Sequence, residues 1–222
     1  MRGDLLVKRC LFFFVICILN HFNAGSFADG VAVAAESPDL STNSIESSIA
    51  KGANALRSRD YALALKVFKP LSALGYAGAQ YNLGWMYEFG EGVPQDYKEA
   101  VRLYSLAANQ SDSDARYKLG FMYANGKGVA QDYKEAVRFY GLAVAQGNTN
   151  GRAALGSMYE LGRGVPQDYV IAHMWYNLGS ISDVTLNALI SRDELAKKMT
   201  ASQLEKAQDL ARECVMKNYK GC

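Results

Sequence analysis

Residues 79–107, AQYNLGWMYEFGEGVPQDYKEAVRLYSLA, carry the pattern that decides the fold. The pattern recurs twice at a spacing of 36 residues, so that the pair Leu83-Gly84 returns as Leu119-Gly120 and Leu155-Gly156. A glycine-containing segment returns in step, as Gly90-Glu91-Gly92-Val93, Gly126-Lys127-Gly128-Val129 and Gly162-Arg163-Gly164-Val165. A fixed period of about 20 to 50 residues indicates supersecondary units that bury their apolar faces against their neighbours.

Each unit contains two predicted helices joined by the glycine segment. In residues 79–89, Ala79, Leu83, Met86 and Tyr87 fall on one helical face, which predicts a first helix, helix A. Asp96 with Glu99, and Asp132 with Glu135, have the spacing of capping boxes at the start of a second helix, helix B. We expect the turn between them to need backbone conformations that a Cβ disfavours, at Gly90, Gly92, Gly126, Gly128, Gly162 and Gly164.

A degenerate fourth unit precedes the three clear ones. Asp60-Tyr61 lies 36 residues before Asp96-Tyr97, and Phe68 lies 36 residues before Tyr104. This unit lacks both the Leu-Gly pair and the glycine turn, and its first helix is predicted over Ile45 to Leu56, with Asn43 and Glu46 as a possible cap.

The N-terminus predicts export. Arg2, Lys8 and Arg9 precede an apolar run of ten residues, 10–19, which is shorter than the roughly 20 residues that span a bilayer. Ser26 and Ala28 place small residues before a cleavage site after Ala28. Removing residues 1–28 leaves 21 basic and 21 acidic residues. Because this balance provides no basic stripe, nucleic acid and anionic membrane surfaces are not expected partners.

The motif A-x-x-x-L-G-x-x-Y, followed by G-x-G-V and D-Y-x-x-A-x-x-x-Y, resembles the Sel-1-like repeat (SLR) family, which is related to tetratricopeptide-repeat proteins. The resemblance implies an all-α fold, a right-handed α/α solenoid of antiparallel helix pairs, used as a scaffold for protein complexes. For exported bacterial members of the family, the resemblance implies roles in the cell envelope, in secretion or in contact with other cells.

The predicted organisation of the chain follows from the motif and from its end after Trp175-Tyr176. A terminal helix pair is expected over residues 184–198 and 201–217, with Thr200 and Gln203 as a capping box and charged outer residues that include Lys197, Lys198, Glu205 and Lys206. The segments are a signal peptide (1–28), a flexible linker (29–44), a degenerate helix pair (45–78), three repeats (79–114, 115–150 and 151–182) and a C-terminal helical cap (183–222).

Catalytic and cofactor chemistry is not indicated. The G-x-G-V segments do not continue into Gly-Lys-Ser/Thr and do not follow strands, so they predict turns and not phosphate loops. His173 is the one histidine after Ala28, which excludes a conventional metal cluster or catalytic triad built on several histidines. We therefore predict no catalytic residues, no metal and no cofactor, and a packing or surface position for His173.

Two cysteines remain after export, Cys214 and Cys222. In an oxidising compartment this close, even pair predicts a disulfide, and Gly221 gives the chain freedom to turn back. Two free thiols or an intermolecular bridge are the alternatives.

Helix A positions that point away from the predicted core are the candidate protein-binding residues, because the family resemblance places helix A on the concave face. They are Asn82, Trp85, Phe89, Lys118, Phe121 and Asn125, and the third repeat offers Ala154, Ser157 and Leu161. Aromatic side chains beside Lys and Asn suit an interface anchor with a polar rim. Alternatively, Trp85 and Phe121 pack between successive helices A.

These observations predict a monomeric, non-enzymatic scaffold, periplasmic or secreted, that binds a protein or peptide and does not insert into the membrane after cleavage. Two alternatives stay open. One is a cell-wall or β-lactam-related enzyme of the cysteine-rich type, although these repeats lack its cysteine pairs. The other is a structural, self-associating envelope component.

Overall fold

The computed structural model describes residues 42–180 and 186–222, and all regular elements in these ranges are α helices. In chain order they are α1 (Thr42–Arg57), α2 (Tyr61–Ala73), α3 (Ala77–Phe89), α4 (Tyr97–Asn109), α5 (Ser113–Asn125), α6 (Tyr133–Val144), α7 (Thr149–Leu161), α8 (Tyr169–Gly179), α9 (Leu186–Ala196) and α10 (Ala201–Met216). The predicted signal peptide and residues 29–41 of the predicted linker lie outside the described residues.

Consecutive helices pack against each other along the chain. The pairs α1–α2, α3–α4, α5–α6 and α7–α8 are the hairpins, and each helix B also contacts helix A of the next hairpin. Their buried faces include Phe68, Tyr104 and Tyr140, which occupy equivalent positions in three successive helices B. The prediction of an all-α solenoid of helix pairs is confirmed.

Most helices A begin earlier than the apolar pattern suggests. Helix α3 starts at Ala77, two residues before the predicted repeat boundary. The Asp112 side chain accepts a hydrogen bond from Ala115 N at 2.8 Å, and Asn148 does the same for Gly151 N at 2.8 Å. These caps satisfy free N–H groups and fix the starts of α5 and α7. Helix α1 starts at Thr42, so residues 42–44 are helical and Asn43 lies inside the helix.

The predicted capping boxes of the helices B form only in part. Asp96 accepts hydrogen bonds from Lys98 N at 2.9 Å and Glu99 N at 3.1 Å. The prediction that the Glu99 side chain caps the backbone N–H of Asp96 is wrong, because the Glu99 carboxylate pairs instead with Arg102 Nη2 at 2.6 Å. Glu135 pairs in the same way with Arg138 at 2.7 Å. An arginine one helical turn onward competes for the carboxylate. The box of Thr200 and Gln203 is confirmed.

Helices A and B approach each other closely at the glycine of the Leu-Gly pair, which recurs in helix A of each repeat. A Cβ added to Gly120 would lie 2.5 Å from Tyr140 Cδ1, and one added to Gly156 would lie 2.6 Å from Tyr176 Cδ1. These distances are shorter than any normal carbon contact, so the tyrosine ring occupies the space that a side chain would take. The glycine of the Leu-Gly pair is therefore a packing requirement.

The glycine turns join helix A to helix B within a repeat and also lie against the preceding repeat. The six predicted glycines have positive φ, from 62° at Gly162 to 75° at Gly164. A Cβ on Gly128 would lie 2.3 Å from the backbone oxygen of Tyr97, the first residue of helix B in the preceding repeat. The second glycine of the turn therefore serves both the turn conformation and contact between repeats.

The last two helices cover the third repeat. Helix α8 packs against both α9 and α10, and Leu195, Ala207, Ala211 and Cys214 are buried. Lys197, Lys198, Glu205 and Lys206 are exposed. The predicted C-terminal capping pair is confirmed, with helices that end at Ala196 and Met216.

Candidate interaction surface

The predicted binding residues lie on α3 and α5, on a surface that we call the A face. It consists of Asn82, Trp85, Phe89, Lys118, Phe121 and Asn125. Phe89 is 48% exposed. Trp85 is half-buried and packs against the core cluster of α1 to α4, which includes Leu83 and Met86. Trp85 thus has a packing role, while Phe89 presents free apolar surface.

Three of these side chains form one contact group across two repeats. The ring centroids of Trp85 and Phe89 are 4.8 Å apart, with the planes tilted by 44°. Lys118 of the next repeat places its Nζ 5.1 Å from the Phe89 centroid, within the range of a cation–π contact. The structure therefore brings Trp85, Phe89 and Lys118 together.

A buried carboxylate fixes the position of Lys118. Glu88 is 3% exposed, and its Oε2 accepts hydrogen bonds from the Tyr104 hydroxyl at 2.6 Å and pairs with Lys118 Nζ at 3.0 Å. Burial, and secondarily the bond to Glu88, raises the pKa of Tyr104 above its usual range. The positive charge of Lys118 is thus neutralised within the protein, so it does not supply a free cation to the A face.

Phe121 belongs to a second, separate group. Lys127, from the glycine turn of the second repeat, lies with its Nζ 5.2 Å from the Phe121 centroid and 5.2 Å from the Tyr97 centroid. Phe121 is half-buried and packs against the core cluster of α4 and α5. Lys127 thus bridges two aromatic rings from different helices.

The two predicted asparagines are engaged with their own helices. Asn82 Nδ2 donates to Gly78 O at 2.6 Å, and Asn125 Nδ2 donates to Phe121 O at 2.8 Å. Both bonds run one turn back along helix A, as short polar side chains commonly do. These side chains are polar margins of the A face, and each has one amide N–H engaged by its own helix.

Sequence reasoning missed Glu88 and Lys127. A signal was present for both: Glu88 recurs at the same repeat position as Glu160, which accepts from the Tyr176 hydroxyl at 2.8 Å, and Lys127 recurs as Arg163, whose guanidinium lies 5.4 Å from the Tyr133 centroid. The second repeat has Ala124 at the Glu88 position. The acid–tyrosine contact is therefore a feature of the first and third repeats.

The cap contains an open groove with a volume of about 1100 Å³. It is lined by residues of α8, α9 and α10, which include His173, Arg192 and Met216. His173 is 6% exposed, so of its two predicted positions it occupies the packed one. Burial, and then the charge of Arg192, lowers its pKa. Within residues 42–180 and 186–222, no three His, Cys, Asp or Glu residues are grouped to hold a metal.

The repeat geometry is matched by a known family. The Sel1 repeat model matches residues 77–112, 113–148 and 150–180. This chain carries three Sel1 repeats. Its Sel1 repeats coincide with the hairpins α3–α4, α5–α6 and α7–α8, and proteins of this family typically act as scaffolds for protein–protein interaction and are generally non-catalytic.

Two solved structures are similar to this Sel1 repeat chain. A Sel1 repeat protein from Oxalobacter formigenes has 26% sequence identity and a TM-score of 0.60, over 77% of this chain and 73% of that one. A protective antigen present in uropathogenic Escherichia coli strains, which displays an SLR fold, has 26% identity and a TM-score of 0.54, over 71% of this chain and 42% of that one. The match thus spans less than half of the antigen. No curated protein matches the chain.

In residues 42–180 and 186–222, no helix combines the length and the apolar character that crossing a membrane requires.

Proposed function

We propose that this protein is an exported, non-enzymatic scaffold that binds a protein or peptide partner through the A face of its first two Sel1 repeats. The observation that carries the proposal is Phe89. Phe89 is 48% exposed although its ring lies against Trp85 and near Nζ of Lys118. An exposed aromatic side chain held in place by neighbours loses little conformational freedom on binding, which is the property of an interface anchor.

The charges around the anchor suggest the chemistry of the partner. Lys118 pairs with buried Glu88, and the amides of Asn82 and Asn125 donate to their own helices. The A face therefore offers aromatic and apolar contacts and few free charges. We expect a partner segment with an apolar or aromatic side chain, bound with an affinity that changes little between low and physiological ionic strength.

Export is supported by the basic and apolar N-terminal sequence and by the Cys214–Cys222 pair, whose Cα atoms are 5.5 Å apart. Stable disulfides are typical of oxidising compartments outside the cytosol. Fractionation of cells, with the size of the mature chain measured by mass spectrometry, tests this part. A cytosolic protein that retains residues 1–28 would contradict it.

The binding proposal is tested by affinity capture with crosslinking from the native envelope and medium. The variant is Phe89→Ala, and the matched control is Leu161→Ala, because Leu161 occupies the same position in the third repeat and is 50% exposed. The captured partner should be lost with Phe89→Ala and retained with Leu161→Ala, while circular dichroism of both variants stays that of the wild type. If Phe89→Ala captures the partner as well as Leu161→Ala and the wild type do, the A face is not the binding surface.

A further inference from the structure

The chain ends in a short tail that folds back onto the third repeat. After α10 ends at Met216, residues 217–220 form turns in which Tyr219 N donates to Cys214 O at 2.9 Å. The disulfide between Cys214 and Cys222 closes this loop. Tyr219 is half-buried, whereas the other residues from 215 to 222 are exposed. The loop therefore holds one aromatic side chain against the protein.

Tyr219 packs against the core cluster that includes Leu155 and Trp175, beside a cavity between three helices that we call the tail groove. It is formed by Val137 and Gly141 of α6, Leu155 and Tyr159 of α7, and Trp175 of α8, and Tyr219, Gly221 and Cys222 line the same 240 Å³ cavity. Trp175 is only 4% exposed. The tail thus covers apolar side chains of the second and third repeats.

The Tyr219 ring lies against the side chain of a buried arginine. Arg152 is 7% exposed, its Nη1 donates to Leu178 O at 3.1 Å, and its guanidinium carbon lies 3.9 Å from the Tyr219 centroid. Its Nε has no hydrogen-bond partner, whereas the equivalent Arg116 Nε donates to Ala108 O at 3.3 Å. In the third repeat the stacked ring takes the place of that hydrogen bond.

Two residues of the tail adopt backbone conformations that are unfavourable in this closed arrangement. Asn218 and Tyr219 have φ values of 54° and 60°, in the left-handed region where the Cβ of an L-residue is crowded. Such a conformation in a bulky residue persists only when the surrounding structure holds it. The disulfide is the covalent constraint that holds this turn closed.

We propose that the Cys214–Cys222 disulfide is a thiol-sensitive latch that keeps Tyr219 over Arg152 and the tail groove, and that its reduction releases residues 217–222 and uncovers both. The partner of the latch is a dithiol reductant. The inference concerns α6, the third repeat and the cap, none of which carries a residue of the A face, so it is independent of the binding function proposed for that face.

The reaction is a thiol–disulfide exchange with a defined order. Cys222 is exposed and Cys214 is 1% exposed, so the reductant thiolate attacks Sγ of Cys222. A mixed disulfide forms at Cys222, while Cys214 leaves as a thiolate and takes up a proton. The second thiolate of the reductant then attacks the reductant sulfur that is bonded to Cys222 in the mixed disulfide. This step releases Cys222 as a thiolate, which is then protonated. Two electrons and two protons pass to the protein, and the reductant becomes a disulfide.

The test uses Trp175 as the reporter. The chain has two tryptophans, so a Trp85→Phe variant leaves Trp175 alone, and a Trp175→Phe variant provides the matched control at Trp85. Acrylamide quenching is measured on the oxidised and reduced protein, with the free thiols counted by mass spectrometry. We expect the Stern–Volmer constant of Trp175 to rise about threefold on reduction, because the tail shields Trp175 in most oxidised molecules and in few reduced ones. The Stern–Volmer constant of Trp85 should stay constant.

Two variants separate the latch from a general effect of reduction. Tyr219→Ala should show the raised quenching with the disulfide intact, and Cys214→Ser/Cys222→Ser should show it without any response to the reductant. Unchanged quenching of Trp175 after complete reduction would overturn the proposal. Loss of helical circular dichroism on reduction would overturn it too, since the disulfide would then maintain the fold and not merely the position of the tail.

Discussion

Replacing Gly120 by alanine tests whether the Leu-Gly pair is required by packing. In a helix interior, alanine is more favourable than glycine by about 1 kcal/mol. At Gly120, however, the new Cβ would lie 2.5 Å from Tyr140 Cδ1, and Tyr140 is itself 3% exposed. Overpacking of this kind costs about 1–3 kcal/mol. We therefore expect Gly120→Ala to lower the free energy of unfolding by up to about 2 kcal/mol, because the cost of the clash exceeds the gain in propensity.

The chain contains its own control for this substitution. Gly141 lies in α6, next to Tyr140, and a Cβ at Gly141 would have no neighbour within 4 Å. Gly141→Ala makes the same chemical change without a clash and should raise the free energy of unfolding by about 0.5–1 kcal/mol. The two variants should thus differ by about 0.5 to 3 kcal/mol, and the upper end of this range corresponds to several degrees in melting temperature for a domain of this size.

Thermal and urea unfolding, followed by circular dichroism, measure this difference. A Tyr140→Ala background provides a further check, since Gly120→Ala should no longer be destabilising once the ring is absent. If Gly120→Ala is as stable as Gly141→Ala in the wild-type background, the close approach of α5 and α6 does not determine the residue at position 120.

Three other predictions concern side chains that the structure places inside the repeats. Trp85→Ala should destabilise the protein by about 2–4 kcal/mol because Trp85 packs against the core, whereas exposed Phe89→Ala should cost less than about 1 kcal/mol; urea unfolding of both variants measures this, and equal costs would contradict it. Lys118→Met should cost about 2–4 kcal/mol because it leaves buried Glu88 without its cation, and adding Glu88→Gln should restore part of the loss; additive losses in a double-mutant cycle would refute the coupling. Burial raises the pKa of Tyr81, Tyr104, Tyr140 and Tyr176 in the folded state. The unfolded chain releases these protons near pH 10, so the stability is present below that pH and should fall above it by up to about 1.4 kcal/mol per pH unit for each tyrosine. Urea midpoints from about pH 8 to about pH 11 measure this loss, Tyr140→Phe should make it smaller, and a constant midpoint would refute it.

The fold could be predicted from the sequence because its determinants are local and repeated. The Leu-Gly pair, the glycine turn and the capping Asp96 each act within a few residues, and three copies in register make the pattern unambiguous. Helices α5 and α7 begin two residues before the predicted repeat boundaries at 115 and 151, because their caps, Asp112 and Asn148, lie outside the apolar pattern. The reciprocal capping by Glu99 was mispredicted because sequence spacing alone does not reveal which partner a carboxylate chooses, and Arg102 lies one turn away.

The candidate surface was less predictable than the fold. The apolar period identifies which positions leave the core, but it does not show how far each side chain leans back onto it, and Trp85 and Phe89 differ in this respect. The engagement of Lys118 by Glu88 depends on contact between successive helices A, which no spacing within a single repeat reveals. The Tyr219 contact depends on how the tail turns after α10, where only Gly221 and the cysteines gave a signal.

The position of Gly128 against the backbone of Tyr97 has a consequence for how such a chain can change in length. Each repeat contributes the turn glycine to one junction and the first turn of its helix B to the next, so every internal junction is built from the same two parts. Duplication or loss of a whole unit of 36 residues therefore restores a matching junction, whereas an insertion of a few residues between the glycine turn and helix B does not. The number of units can thus vary by gene duplication while the two ends, which are built differently, stay the same.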